Sequence, residues 1–175
     1  MRRTVTNLVR AGRKTAVTAL IMAGFLATST LATPEKAAAQ SGLVLENVAY
    51  ADMVLDNDAG GGEYSSILAY DRNGGKNQEW QVASAGGNPV QIKQRVGGQE
   101  LCVGAVFNGT AEISMQKCEG NGGVVWWHAI QVGTRYVYRS PAQQRCMAVI
   151  RRNAPVELVE CAFGDQAQQW VKRPA

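Results

Sequence analysis

Cysteine and histidine have the widest chemical repertoire of the side chains, and this chain contains few of either. Its four cysteines are Cys102, Cys118, Cys146 and Cys161, and its one histidine is His128. No two cysteines form a C-x-x-C pair, so zinc and redox sites are disfavoured, and we expect no metal and no cofactor. An even number of cysteines is typical of a disulfide framework in an exported protein, and the count alone leaves three pairings open.

Catalytic chemistry is also disfavoured. No nucleophile motif such as G-x-S-x-G accompanies His128, and a lone histidine beside Trp127 in an apolar run is more typical of a structural role. The carboxylates are scattered, and nothing in their order pairs two of them for glycoside hydrolysis. We therefore expect a binding protein and not an enzyme.

The N-terminal segment has the three regions of a secretory signal peptide. Residues 1–14 carry five basic residues and no acid, residues 15–32 are mainly apolar, and the small residues Ala37-Ala38-Ala39 follow. We place cleavage near Ala39, which predicts a secreted, extracellular protein with one domain over residues 40–175. A membrane-spanning anchor is the weaker alternative, because the apolar core is short and interrupted by threonine and serine.

Charge disfavours one class of partner. The chain has 18 Lys and Arg against 14 Asp and Glu, and residues 1–39 hold 6 of these bases and 1 of these acids. The predicted mature domain therefore keeps 12 bases against 13 acids, and the basic character belongs to the leader. Nucleic-acid binding usually shows as a basic surface, so no nucleic-acid partner is expected.

An internal repeat organises residues 40–175. A tryptophan ends each copy, at Trp80, Trp127 and Trp170, with steps of 47 and 43 residues. A second landmark lies upstream of each tryptophan, at Val54, Cys102 and Cys146, with steps of 48 and 44 residues. Two landmarks that share one period define three repeats, at about 42–86, 87–132 and 133–175.

The pattern inside each repeat predicts an all-β protein. Short apolar runs alternate with glycine-rich turns, and no part of residues 40–175 keeps a 3.6-residue apolar period over a helical length. Four strands in each of three repeats give twelve strands, which suits a threefold barrel with a hairpin cap. Because a four-stranded unit cannot bury its own apolar face, the three repeats must share one core.

The three tryptophan endings, of which the first and third read Gln-x-Trp, and the two cysteine pairs in register resemble the ricin B-like lectin family over residues 42–173. Val125 stands for the glutamine in the second repeat, and the first repeat has no cysteines. The resemblance implies a β-trefoil, with three four-stranded repeats about a pseudo-threefold axis, and a core role for Trp80, Trp127 and Trp170. With the repeats in register, the disulfides are Cys102–Cys118 and Cys146–Cys161. In the first repeat Val54 takes the first cysteine position, and the second falls near Tyr70 or Asp71. The role of Trp126, which should face away from Trp127, stays open.

The resemblance also implies a sugar site in the first repeat. The family binds sugar through an aspartate after the first cysteine, an aromatic residue near the second and an Asn-Gln pair before the tryptophan. Here these are Asp56, Tyr70, Asn77 and Gln78. A carboxylate accepts hydrogen bonds from two hydroxyls, amides add more, and a ring stacks on the apolar face of a sugar. The alternative is that Asp56 only opens a turn and Asn77 only caps one.

The other two repeats lack this set. Gly104 and Val124-Val125 replace it in the second repeat, and Ala148 and Ala167 replace most of it in the third, which keeps Gln168. The first hypothesis is therefore a secreted carbohydrate-binding protein with one site, for galactose-type or other cell-surface glycans. The second is a protein-interaction trefoil, either a protease inhibitor or an adaptor subunit of a secreted complex or toxin, which has lost sugar binding.

Overall fold

The computed structural model describes residues 42–84, 86–107, 111–119 and 124–175. The predicted signal peptide, residues 1–39, and its cleavage near Ala39 lie outside the described residues. The described residues form thirteen strands, numbered β1 to β13 in chain order: Leu43–Asn47, Met53–Asn57, Ile67–Asp71, Gln81–Ser84, Val90–Val96, Gln99–Phe107, Ala111–Lys117, His128–Val132, Arg135–Arg139, Cys146–Ala148, Ala154–Pro155, Glu157–Val159 and Gln169–Pro174. The all-β prediction is confirmed.

Six of these strands form a barrel. The antiparallel pairs β4–β5, β8–β9 and β13–β1 each join the last strand of one repeat to the first strand of the next. Within a repeat, the first and last strands meet through the backbone of the repeated tryptophan, in the pairs Leu43–Trp80, Val90–Trp127 and Tyr136–Trp170. The barrel is thus built from equivalent contacts of three repeats.

The second and third strands of each repeat form a hairpin, and the three hairpins are β2–β3, β6–β7 and β10–β12. Twelve strands were predicted, and β11 is the thirteenth in the described part of the chain. It is a two-residue strand that pairs Ala154 with Ala69 and Pro155 with Leu68, so it joins the third repeat to the hairpin of the first. A β-trefoil, with a barrel and three hairpins about a pseudo-threefold axis, is the fold that the repeats predict.

The repeated tryptophans lie in the shared core. Trp80, Trp127 and Trp170 are all fully buried. Each indole N–H donates to a backbone carbonyl of its own repeat, on Leu55 at 2.8 Å, Val103 at 2.9 Å and Met147 at 3.4 Å. Because a buried indole N–H needs an acceptor, these bonds fix the ring and connect the last strand of each repeat to its hairpin.

Two disulfides stabilise the second and third repeats. They are Cys102–Cys118 and Cys146–Cys161, the pairing that the register of the repeats predicts. In both hairpins the second cysteine lies two residues beyond the residue that pairs with the first. Val54 pairs with Tyr70, so the equivalent position in the first repeat is Arg72 and not Tyr70 or Asp71. The unequal loops hide this register in the sequence.

The first and last described segments of the domain lie side by side. Strand β1 pairs with β13 along its whole length, from Leu43 opposite Pro174 to Asn47 opposite Trp170. The amide of Ala175 donates to the carbonyl of Gly42 at 3.0 Å. Among the described residues, no helix is long and apolar enough to cross a membrane.

Candidate functional site

Asp56 lies on the outer face of the first hairpin. It is the fourth residue of β2 and pairs with Leu68 of β3, while its neighbour Leu55 points into the core. Alternation along the strand therefore turns the Asp56 side chain away from the core. Only 3% of Asp56 is exposed, so its carboxylate needs hydrogen-bond partners.

Two amide side chains supply these partners. Asn77 Nδ2 lies 2.9 Å from both carboxylate oxygens of Asp56, and Gln78 Nε2 donates to Oδ2 at 2.8 Å. Both amides belong to a 3-10 turn over Lys76–Gln78, just before the last strand of the repeat. An ionised carboxylate accepts about four hydrogen bonds, so Oδ1 retains room for a donor from outside the described residues.

Gln78 is a buried side chain that holds the loop around Asp56. It is 1% exposed, its Nε2 also donates to the carbonyl of Asp71 at 2.9 Å, and its Oε1 accepts from the amide of Asn73 at 2.8 Å. Gln168 makes the same pair of bonds in the third repeat, to the carbonyl of Glu160 and the amide of Ala162. We call this pair of bonds the glutamine bracket. It recurs in the third repeat, which has no aspartate at the position of Asp56. The glutamine of the Gln-x-Trp ending therefore holds the loop, and in the first repeat it also orients Asp56.

A cavity of about 280 Å³ opens above the Asp56 carboxylate. Three of the four predicted site residues line it, namely Asp56, Tyr70 and Asn77, while Gln78 lies beneath it. Sequence reasoning missed the other lining residues, which are Asp58, Ala59, Leu68 and Asn73. Leu68 could have been predicted from the sequence, since it lies two residues before Tyr70 on the same face of β3. Tyr70 is 41% exposed, so its ring is open to a ligand.

The electrostatics of the site centre on Asp56. Burial raises the pKa of its carboxyl above the usual aspartate value, and the nearby Asp58 carboxylate raises it further. The hydrogen bonds from Gln78 and Asn77 act in the opposite direction, because they stabilise the ionised form. The result is an acceptor that is desolvated and held by amide donors on one side. In the described part of the chain, no three His, Cys, Asp or Glu side chains are grouped to hold a metal ion.

The second repeat has no room for the same site. Gly104 occupies the position of Asp56, and a Cβ atom there would lie 2.6 Å from Cγ of Gln116. Gln116 is itself the equivalent of Tyr70, since it pairs with Cys102 as Tyr70 pairs with Val54. In place of Gln78 stands Val125, which is 2% exposed. The space that holds the carboxylate in the first repeat is therefore filled by the Gln116 side chain.

The third repeat lacks most of the polar residues of this site. Ala148 and Ala167 stand where the first repeat has Asp56 and Asn77. Two large apolar residues close to these positions, Ile150 and Phe163, are each 47% exposed. The third repeat therefore differs in chemistry from the first at these positions.

Trp126 lines a separate cavity. It is partly buried, and together with Gly86, Gly87, Asn88 and Pro89 it surrounds a volume of about 290 Å³. The Asn88 side chain accepts from the amide of Ala129 at 2.8 Å, which fixes this loop against β8. Another cavity, of about 490 Å³, lies elsewhere, and its lysines pair with its own glutamates, Lys76 with Glu79 and Lys93 with Glu100.

Known proteins that are similar to this chain share its fold. Residues 42–170 match the family described as "Ricin-type beta-trefoil lectin domain". A designed 3-fold symmetric protein, ThreeFoil, has a TM-score of 0.64 and 20% identity, over 74% of this chain and 96% of that chain. A ricin B-like lectin of Macrolepiota procera, solved in complex with lactose, has a TM-score of 0.60 and 18% identity, over 77% of this chain and 97% of that chain.

One similar structure is much longer than this chain. A mosquitocidal holotoxin has a TM-score of 0.65 and 17% identity, over 78% of this chain but only 17% of that chain. At identities this low, the similarity of this chain to these solved structures shows a common fold and nothing more. The comparison with curated proteins found no match.

Proposed function

This chain belongs to the ricin-type β-trefoil lectin family, and from that premise we propose that it is a secreted, non-enzymatic carbohydrate-binding protein whose sugar site is the cavity above Asp56. The observation that carries the proposal is the Asp56 carboxylate, buried to 3% exposure and held by Asn77 and Gln78 in front of an exposed tyrosine ring. Secretion is supported by the two disulfides and by the signal-peptide pattern of residues 1–39.

The groups of the cavity match the surface of a pyranose. Oδ1 of Asp56 accepts a hydrogen bond from a hydroxyl, and Asn73 and Asn77 bring amide groups to the same cavity. The Tyr70 ring, 41% exposed, stacks on the apolar C–H face of the sugar. A cavity of about 280 Å³ suits one terminal sugar unit, and galactose-type glycans are the first candidates because a similar lectin was solved with lactose.

Titration with galactose and lactose, followed by isothermal calorimetry and by amide shifts in NMR spectra, tests the proposal. We expect weak binding by the wild-type protein and a loss of at least about tenfold in Asp56→Ala, since a hydrogen bond to a charged group contributes about 1.5–3 kcal/mol. Glu160→Ala is the matched control, because that exposed carboxylate lies in the third repeat, where the site residues are absent. Unchanged affinity in a folded Asp56→Ala protein would contradict the assignment of the site.

Two exposed apolar residues of the third repeat support a second candidate function, the protein-interaction trefoil. Ile150 and Phe163 are large, and each is half exposed on the same repeat. A similar structure is a holotoxin in which this chain matches only 17% of the length, which favours an adaptor subunit. Pull-down from culture supernatant in excess lactose distinguishes the two functions. A stoichiometric protein partner that is retained there, and lost in Phe163→Ser, favours this second function.

A further inference from the structure

A cavity of about 430 Å³ lies where the three repeats meet, and it shares no lining residue with the sugar site of the first repeat. Its walls are the loop before β3, the outer face of β7 and the segment that joins β11 to β12. The polar groups that line it come from all three repeats and include Tyr64, Ser66, Ser114, Gln116 and Glu157. No sequence motif points to this cavity, because its walls are far apart in the chain.

Backbone hydrogen bonds hold the loop that carries Tyr64. The amide of Tyr64 donates to the carbonyl of Met115 at 2.7 Å, and the amide of Met115 donates to the carbonyl of Ser65 at 2.9 Å. Ser66 and Ser114 continue this pairing as an antiparallel bridge. The loop therefore extends the sheet beside β7, and one wall of the cavity is fixed before any ligand binds.

Tyr64 itself is strained and exposed. Its φ angle is +71°, in the left-handed region that a bulky side chain rarely occupies, and its side chain is 71% exposed. An exposed ring gains little from packing that would offset this strain. Strained residues of this kind cluster at ligand sites, where the backbone conformation presents the side chain. Here the strain presents an aromatic ring at the edge of the cavity.

The outer face of β7 carries hydrogen-bonding groups where the first repeat has site residues. Ser114 and Gln116 are the equivalents of Leu68 and Tyr70, because they pair with Gly104 and Cys102 of β6. Gln116 Nε2 donates to Ser114 Oγ at 2.8 Å, which orients both side chains. Gln116 fills the space beside Gly104, so this cavity lacks the family's aspartate and offers an amide and a hydroxyl in its place.

We propose that this cavity is a second saccharide site, in which the Tyr64 ring stacks on a neutral sugar while Ser114, Gln116 and Glu157 bind its hydroxyls. The inference rests on the proposed function for its ligand class, and it extends that function from one site to two. The carboxylates of Glu112 and Glu157 in the wall disfavour sugars that carry acid groups, because like charges repel in a partly desolvated site. Two sites allow one molecule to bind two branches or two chains, with a gain in avidity that a single site lacks.

The test uses the disulfide-bonded protein and separates the two sites by mutation. In Asp56→Ala we expect binding of at least one of galactose, lactose and N-acetyllactosamine to remain, with amide shifts at Ser114 and Gln116. Adding Tyr64→Asn should weaken that remaining binding at least tenfold, because the ring is lost. Asparagine tolerates the left-handed backbone, so the Tm should stay the same or rise. Tyr64→Phe keeps the ring and should keep the binding, and galacturonic acid should bind at least tenfold more weakly than galactose.

The outcomes distinguish this inference from the proposed function. Loss of all binding in folded Asp56→Ala overturns the second site and leaves the first intact. Binding that remains in Asp56→Ala and is not weakened when Tyr64→Asn is added also overturns the second site. Unchanged binding in Asp56→Ala that Tyr64→Asn abolishes supports the second site and overturns the first. No binding of any of the three sugars by the wild-type protein overturns both.

Discussion

At the scale of single residues, Asp56 is the group on which the proposed sugar binding depends. Its carboxylate is useful as an acceptor only when ionised, and burial raises its pKa above the usual aspartate value. We expect the affinity for lactose to fall as the pH drops through this raised pKa, because protonation replaces an acceptor by a donor. Calorimetric titration between pH 7 and pH 4 measures the midpoint.

Asp58→Asn is the matched control for this pH dependence. Burial is the main cause of the raised pKa of Asp56, and this variant removes the smaller contribution of the Asp58 carboxylate, so the midpoint should move slightly to lower pH. Protonation of Asp56 does not lower the affinity by unfolding the protein. The folded pKa of Asp56 lies above the unfolded one, so this group favours the folded state more as the pH falls. An affinity for lactose that is independent of pH would contradict Asp56 as the acceptor.

Tyr138 carries the buried polar atom that lacks a partner. Its side chain is fully buried in β9, and its hydroxyl makes no hydrogen bond within the described residues. Replacing a buried unsatisfied hydroxyl by hydrogen removes a desolvation cost of about 1–3 kcal/mol. We expect Tyr138→Phe to leave the free energy of unfolding unchanged or to raise it by about 1 kcal/mol, measured by urea denaturation.

Tyr138→Ala is the reference for that measurement. It removes the whole ring from the core and should lower the free energy of unfolding by about 3–5 kcal/mol. A comparable loss in Tyr138→Phe would show instead that the hydroxyl has a partner in solution, such as a buried water.

At the scale of the repeat, the first repeat has the polar site residues, and the second and third repeats lack them for different reasons. The second repeat has filled the space with Gln116, whereas the third keeps the Gln168 bracket and lacks only the residues around it. We therefore predict that Ala148→Asp with Ala167→Asn installs a sugar site in the third repeat. Glu157 pairs with Ala148 and would repel the new carboxylate, so Glu157→Leu is added in both the variant and its reference.

The measurement is the number of lactose molecules bound per chain. It should rise by one in the triple variant relative to Glu157→Leu alone, and NMR shifts should appear near Trp170. Gly104→Asp in the second repeat is the negative control, because a Cβ atom at this position would lie 2.6 Å from Cγ of Gln116. An unchanged number of sites in a folded triple variant would show that the third loop does not follow the geometry of the first.

Sequence reasoning succeeded where equivalent residues recur and failed where different repeats meet. The period shared by Trp80, Trp127 and Trp170 predicts the fold, and the cysteine register predicts both disulfides, since each repeats a local pattern. The pairing of Asp56 with Asn77 also lies within one repeat. The bracket made by Gln78 and the backbone strain at Tyr64 were not predictable. They depend on loop lengths and on contacts such as Ser66 with Ser114, which no local pattern records.

At the scale of the whole molecule, the stabilising cross-links are unevenly distributed. The second and third repeats each have a disulfide, and the first has Val54 packed at the equivalent position with 0% exposure. A loop of about 15 residues contributes about 3 kcal/mol in the chain-entropy account. We expect reduction to lower the free energy of unfolding by several kcal/mol and to increase hydrogen exchange first in the second and third repeats.

Single cysteine-pair variants are the controls for that prediction. Cys102→Ser with Cys118→Ser should loosen the second repeat alone, and Cys146→Ser with Cys161→Ser the third alone. Equal loosening of all three repeats on reduction would show that the shared barrel, and not the local loops, transmits the effect.

The pairing of β1 with β13 turns the trefoil into a nearly continuous ring of repeats. The Ala175 amide already bonds to the Gly42 carbonyl at 3.0 Å, so a linker of about two to four glycines can join these positions. A new opening at Gly97–Gly98, an exposed turn between β5 and β6, cuts no strand. This circular permutant should fold with both disulfides and place its ends on another face. The trefoil can then be displayed in a second orientation on a surface or carrier.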